Sequence, residues 1–377
     1  ADEGANDKSV IFLWLGGGAS QFETFHANLP GTVPDVYQSV NGVTYNAQTG
    51  LKFGHDWQNL IKRSNWLTSV DSFSHKDSSH NTGTEFVMTG NYSSKRGPGA
   101  TTEYPGNGAI VASVFGPNHP RNGIPTYVKQ GKISGEQPTF LGQQFKAFDP
   151  SNKENLIPKV DVGRLEERRA LLSGLDHGGT DMSRQAFSVI QGDAGTAFDL
   201  DKEDEPTRLR YGKSAIGNQM LLARRLVEGG TKFVTIHYGG WDNHSNISAA
   251  MKTRVPPVDL ALSSLLDDIH DRGMEKDVMV VVTAEFGRTR LNKNNGRDHW
   301  SNSTPLLISG GDYQMGRTIG RADKSYVPTT SKFGPLDLQR TLFDHFDIDI
   351  KTQRTDSAGR PRYIHEDDGS SRVILAS

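Results

Sequence analysis

The sequence contains no cysteine. That excludes disulfide stapling, thiolate-ligated zinc and cysteine nucleophiles, so any metal site must be built from histidine, carboxylate or carbonyl donors. An excess of charge of either sign is also missing, with 42 Lys and Arg against 44 Asp and Glu. No strong net field therefore favours nucleic acid or a charged membrane surface, and no nucleic-acid partner is expected. No apolar run approaches the ~18–20 residues that cross a bilayer, so no membrane span is expected either. Internal repeats and low-complexity tracts are lacking as well. What remains is a chain of 377 residues, long enough to bury one large α/β core or two small ones. It opens on Ala1 and stays polar to Lys8, which reads as a processed or disordered N terminus (1–8) after signal-peptide removal. The expectation is a periplasmic or secreted protein.

Apolar patterning supplies the architecture. Residues 10–15 form an unbroken apolar run that stops at Gly16-Gly17-Gly18, as a buried parallel strand does where it meets a sheet's carboxyl edge. Residues 66–70, 233–236, 278–283 and 304–308 read as further strands. Helical spacing recurs over 57–64, 84–89, 165–190, 214–228, 258–272 and 335–346. Alternating strands and helices predict an α/β fold with a mainly parallel central sheet and helices on both faces. A single domain over 9–377 is expected, with long loop insertions at about 91–160. Within these, residues 91–125 are rich in Gly, Pro, Ser and Asn and read as an ordered substrate-side loop.

Four polar clusters follow strand ends, where open α/β sheets carry their chemistry. In Gly240-Trp241-Asp242-Asn243-His244 an extended backbone turns Asp242 and His244 the same way, so that a carboxylate and an imidazole can meet one cation; the alternative is an Asx-turn with a solvated histidine. In Glu285-Phe286-Gly287-Arg288-Thr289 the acid can ligate a metal and Arg288 can grip an anionic oxyester, or the two can form a plain salt bridge. In Gly296-Arg297-Asp298-His299-Trp300, read as a loop, His299 can complete a metal shell with Asp298 orienting it from outside. In His75-Lys76-Asp77-Ser78-Ser79-His80-Asn81, His80 precedes a helix start, where anions are favoured, or merely caps it. Ser20 and Glu23, just past the glycine turn, reach the same edge and either approach metal and substrate or cap the next segment. The glycine turn lacks both the P-loop ending and the dinucleotide spacing, so nucleotide binding is rejected.

The ordered set of Gly16-Gly17-Gly18-Ala19-Ser20-Gln21-Phe22-Glu23-Thr24-Phe25, His80 with Met88-Thr89-Gly90, Gly240-Trp241-Asp242-Asn243-His244, Glu285-Phe286-Gly287-Arg288-Thr289 and Gly296-Arg297-Asp298-His299-Trp300 resembles the sulfatase-like family known as domain of unknown function 1501. The likeness runs over about residues 9–349. It implies an alkaline-phosphatase-like fold and hydrolysis of sulfate or phosphate esters at one or two metals on the sheet's carboxyl edge. It further implies Asp242, His244, Glu285 and His299 as metal ligands, to which Glu23 is added. His80 stands where ordinary sulfatases carry the residue converted to formylglycine, and that signature's Pro and Arg are missing, so the formylglycine mechanism cannot operate here. Phe286 stands where phosphatases carry a second-metal histidine, and the first strand lacks the usual leading Asp.

The resulting expectation is a metal-dependent, formylglycine-independent sulfate ester hydrolase with His80 and Arg288 catalytic. His80 acts as nucleophile, or as ligand or general acid. Ser20, His75, Asn81, Trp241 and Arg297 are assigned to substrate. Mixed His and carboxylate donors favour zinc or manganese, with calcium or magnesium as alternatives. Sulfated or phosphorylated small molecules or glycans are the expected partners. The alternatives are a phosphatase or phosphodiesterase on the same site, or a non-catalytic glycan- or surface-binding protein.

Overall fold

The computed structural model describes residues 7–92, 103–151, 194–356 and 358–377. Its centre is the strand Ser9–Trp14, all six residues of which are buried. Alternate side chains divide between two cores: Ile11 and Leu13 pack on one face, Val10, Phe12 and Trp14 on the other. Such a strand must be covered on both sides, which is why it reads as a continuous apolar run. The helices Ala215–Glu228 and Ile247–Asp271 cover the first face. The helices His80–Thr89, Asn107–Phe115 and Pro335–His345 cover the second.

Seven strands form the sheet in the spatial order Arg317–Ile319, Leu67–Val70, Leu306–Gly310, Val278–Thr283, Ser9–Trp14, Phe233–His237, Tyr127–Gln130. Only Leu306–Gly310 runs antiparallel to its neighbours. The expected mainly parallel α/β architecture is therefore present. Trp14 pairs with His237 on one side and Thr283 on the other, so the segments following these three strands leave the sheet side by side.

Several elements differ from the sequence reading. Residues 91–125 contain the helix Asn107–Phe115, buried nearly all round, which erases the one-sided periodicity that marks surface helices. The helix read over 258–272 starts at Ile247 and runs through Pro256 and Pro257, which look like breakers in sequence. Residues 57–64 yield instead the 3-10 segment Leu60–Trp66, whose leading Asn59 and Leu60 amides donate to the Asp259 carboxylate. Residues 296–300 form no loop: Arg297–Trp300 pairs with Gly287–Leu291 as a hairpin. The helix expected over 165–190 lies outside the described residues, as do residues 1–6 and parts of the insertion at 91–160.

Candidate active site

The site begins with a close approach between two loops. Gly17 has φ +110, and a Cβ there would stand 2.7 Å from the Asp242 amide nitrogen and 2.9 Å from that of Trp241. Only glycine allows the first loop to lie against the 239–244 loop, and the Trp241 amide donates to the Gly16 carbonyl across the gap. Asp242 is thereby fixed at the sheet edge. The Gly17 amide donates to Glu285 Oε1 at 2.8 Å, joining the segment after Val278–Thr283 to the same turn. The hairpin register sets His299 opposite Arg288. The helix His80–Thr89 starts four residues earlier than the sequence suggested and presents His80 at its first position, with Ser79 as N-cap.

These elements bring three imidazoles around Asp242, and each is held from behind. His80 Nδ1 lies 2.8 Å from Glu285 Oε1, His244 Nδ1 2.8 Å from Asp298 Oδ1, and His299 Nδ1 2.9 Å from the Ser78 carbonyl. Carbonyl and carboxylate oxygens accept, so a ring proton belongs on Nδ1, which leaves each Nε2 able to present a lone pair to a cation. All three Nε2 atoms face Asp242: His244 at 2.9 Å and His299 at 3.2 Å from Oδ1, and His80 at 3.3 Å from Oδ2. The His244 and His299 Nε2 atoms are 3.2 Å apart.

This donor set fits a divalent cation. In a tetrahedral shell with bonds of ~2.0–2.1 Å, neighbouring donors stand ~3.3 Å apart, and Asp242 Oδ1, His244 Nε2 and His299 Nε2 lie slightly closer, at 2.9 to 3.2 Å. A group comprising His80, Asp242 and His299 likewise has its donor atoms within 4.8 Å of one another. Oxygen acceptors behind each imidazole are what metal-binding histidines require. Glu285 Oε2 is a further buried oxygen, without a hydrogen-bond partner among the described residues. Burial works to raise the Asp242 carboxyl, but the Arg288 hydrogen bond and charge, with His80 and His244, outweigh it and hold the group down to about 2. Burial lowers His299, whereas the hydrogen bond to Glu285 raises His80.

Other expected contacts give way to structural roles. Glu23 and Arg297, expected on metal and substrate, form a buried ion pair at 2.9 Å, and Arg297 also donates to the carbonyls of Val36, Gln38 and Thr289. Arg288 is 1% exposed and is spent on the carbonyls of Gly17, Gly18 and Arg297 and on Asp242 Oδ1 at 2.7 Å. It braces the glycine turn and Asp242 rather than offering a free fork to an oxyanion. Trp241 is buried against Trp57, with Nε1 donating to the Tyr238 carbonyl, so it provides no sugar platform. His75 is buried with Nε2 2.6 Å from the Glu285 carbonyl, and burial takes its imidazole down to about 4. Ser20 is buried and away from solvent. Glu285 spends Oε1 on His80 and Gly17 and stands one step behind the donor atoms.

Asn81 is exposed and lines an open cleft of about 320 Å³ beside His80. Gly16, Gly17, Gly239 and Gly240 also border it, as do Lys132, Ser134 and His237. The last three were missed by sequence reasoning. Lys132 and Ser134 follow a strand, Tyr127–Gln130, that carries only a short apolar signal, and His237 merely ends a strand.

Comparison with known proteins gives one family assignment and several distant structural likenesses. No curated protein matches the sequence. Among solved structures, the chain is similar to Ps i-CgsB at 10% identity and TM-score 0.47, covering 98% of this chain and 76% of that one. It is similar to the phosphonate monoester hydrolase SpPMH from Silicibacter pomeroyi at 11% identity and TM-score 0.45, covering 91% and 74%. It is also similar to the PsFucS1 sulfatase from Pseudoalteromonas sp. at 12% identity and TM-score 0.43, covering 90% and 68%. A family model described as a protein of unknown function, DUF1501, matches residues 7–376, and the chain belongs to that family.

Proposed function

We propose that the protein is a metal-assisted hydrolase of sulfate or phosphate esters in which His80 replaces formylglycine as nucleophile. The observation that carries this reading is the convergence of three imidazole Nε2 atoms on Asp242, each ring held at Nδ1 by an oxygen acceptor. Asp242, His244 and His299 would hold the cation, with zinc or manganese favoured by the nitrogen-rich set. A divalent ion there supplies Lewis-acid stabilisation of the ester's non-bridging oxygens. His80 differs from the other two histidines in lining the cleft. Its Nε2 lone pair bonds to sulfur or phosphorus as the bond to the leaving alcohol oxygen breaks. Glu285 accepts from Nδ1–H and stabilises the imidazolium that develops. The departing alkoxide takes a proton from solvent; water then attacks sulfur or phosphorus, the N–S or N–P electron pair returns to Nε2, and the proton that water loses passes to solvent as sulfate or phosphate leaves.

A sulfated glycan is the substrate we favour, since the cleft is open and bordered by polar side chains and bare glycine backbone. A periplasmic or secreted location would suit that role. The test is turnover of paired aryl sulfate and aryl phosphate esters by wild type, His80→Ala and His244→Ala, with metal content measured on each. Loss of turnover in both variants is expected, with metal lost only from His244→Ala. Metal lost equally from His80→Ala would make His80 a fourth ligand. The Arg288 guanidinium beside Asp242 already neutralises that carboxylate in part, which favours as second reading a non-catalytic glycan-binding protein. Wild type with neither stoichiometric metal nor turnover would establish it over ours.

A further inference from the structure

The cleft beside His80 has a floor without side chains and a wall that carries a positive charge. Gly16, Gly17, Gly239 and Gly240 leave backbone exposed to a ligand, while Asn81, Thr84, Lys132 and Ser134 add polar groups. Among the described residues, Lys132 is the only Lys or Arg in that lining. Its side chain is exposed, and no ion pair engages it among the described residues.

The segment carrying Lys132 is clamped at three points. Gly131 has φ +97 and lies so close to His237 that a Cβ would stand 2.9 Å from the His237 Cβ. Gly135 has φ +84 and packs on the helix His80–Thr89, where a Cβ would stand 3.0 Å from the Glu85 Cα. Directly after Gly135 the buried Glu136 carboxylate turns back under the segment. Its Oε2 accepts from the Ile133 amide at 3.1 Å, and its Oε1 accepts from the Tyr127 hydroxyl at 2.9 Å and from the Thr235 hydroxyl. A buried acid with three donors is a costly device that makes sense where a loop has to hold its shape. The segment thus spans from the strand end at His237 to the helix that begins at His80, and its held backbone carries Lys132 at the cleft between them.

We propose that Lys132 is a specificity-determining residue that recognises a second anionic group on the substrate, so that the preferred ester carries a carboxylate, sulfate or phosphate besides the one hydrolysed. This rests on the hydrolase reading above. A cleft of about 320 Å³ accommodates a group of monosaccharide size. An exposed charge pair on a fixed wall gives about a fivefold preference.

The experiment measures equilibrium binding by calorimetry of phenylphosphonate and benzenesulfonate against 4-carboxyphenylphosphonate and 4-sulfobenzoate. The protein variants are wild type, Lys132→Ala and Lys132→Arg, alongside turnover of 4-nitrophenyl sulfate and 4-nitrophenyl phosphate. Wild type should bind at least one carboxylated ligand about fivefold more tightly than its parent, Lys132→Ala should weaken the carboxylated ligand more than the parent and so erase that preference, and Lys132→Arg should restore it. Equal binding of both members of each pair by wild type, or equal weakening of both in Lys132→Ala, would overturn the proposal even if the esters are hydrolysed. A Lys132-dependent preference without turnover of either ester would instead uphold the subsite and remove the hydrolase reading.

Discussion

Single residues at this site act through what stands behind them. Asp298 touches no other donor of the cluster except His244, whose Nδ1 it holds at 2.8 Å. Loss of such a partner typically weakens metal binding about 10–100-fold, so Asp298→Ala should show that loss in chelator competition while far-ultraviolet dichroism stays unchanged. Metal affinity equal to wild type would detach Asp298 from the site. His80 is the group whose charge sets the pH dependence of the proposed chemistry. It must be neutral to attack, and the Glu285 hydrogen bond raises its pKa from 6.5. The acid limb of kcat/KM is therefore expected to follow this ring, and it should move to lower pH in Glu285→Gln, where the negative charge is gone. An acid limb that stays in place in that variant would speak against Glu285 as the partner of the titrating group.

At the scale of elements, the site depends on loops that lie closer together than side chains allow. Gly17 illustrates this: its left-handed backbone and the nearby Asp242 amide leave no room for a Cβ. Gly17→Ala should therefore displace the Asp242 loop. The expected result is a destabilisation of about 2 kcal/mol in urea unfolding together with loss of most bound metal, whereas Gly50→Ala, at an open position with the same backbone sign, should leave metal untouched. Equal metal retention by both variants would show that the loop contact is dispensable. The glycine run was visible in the sequence, and so were the strands that end beside it, because buried strands are apolar throughout. The hairpin Gly287–Leu291 with Arg297–Trp300 was not visible, since its residues are mostly polar and its pairing is set by burial of Arg288 and Arg297. Helix Asn107–Phe115 escaped for the opposite reason, being apolar on nearly every side.

At the scale of the whole molecule, buried neutral histidines link stability to pH. Burial lowers His345 and His365 from 6.5 to about 4. Above pH 6.5 both folded and unfolded chains hold these rings neutral, and they add no pH dependence. Below 6.5 the unfolded chain takes up protons first, so stability falls as pH drops until the folded rings titrate near 4. Each ring can contribute roughly 3 kcal/mol of that loss. The thermal midpoint should accordingly decline from pH 6.5 to pH 4, and replacing His345 with Gln should flatten the slope. A midpoint level across that window would contradict the neutral burial of these rings.

The amino-acid sequence alone determined the α/β class, the mainly parallel sheet and the set of polar motifs at strand ends, because burial on two faces and sharp glycine turns both leave local signatures. It also placed Asp242, His244, His299 and His80 as candidates. It did not decide which charged groups meet one another. Glu23, Arg288 and Arg297 sit in motifs as suggestive as those of the histidines, yet they pair with one another's loops inside the protein. Arg297 lies 274 residues from Glu23, and Arg288 lies 270 from Gly18, and only packing of the sheet-edge loops selects such partners. The same holds for Lys132, whose segment is held by Tyr127, Thr235 and Glu136 and acquires its place over the cleft from their contacts. Local chemistry is written in the order of residues, whereas the pairing of buried charges follows from which loops the fold brings together.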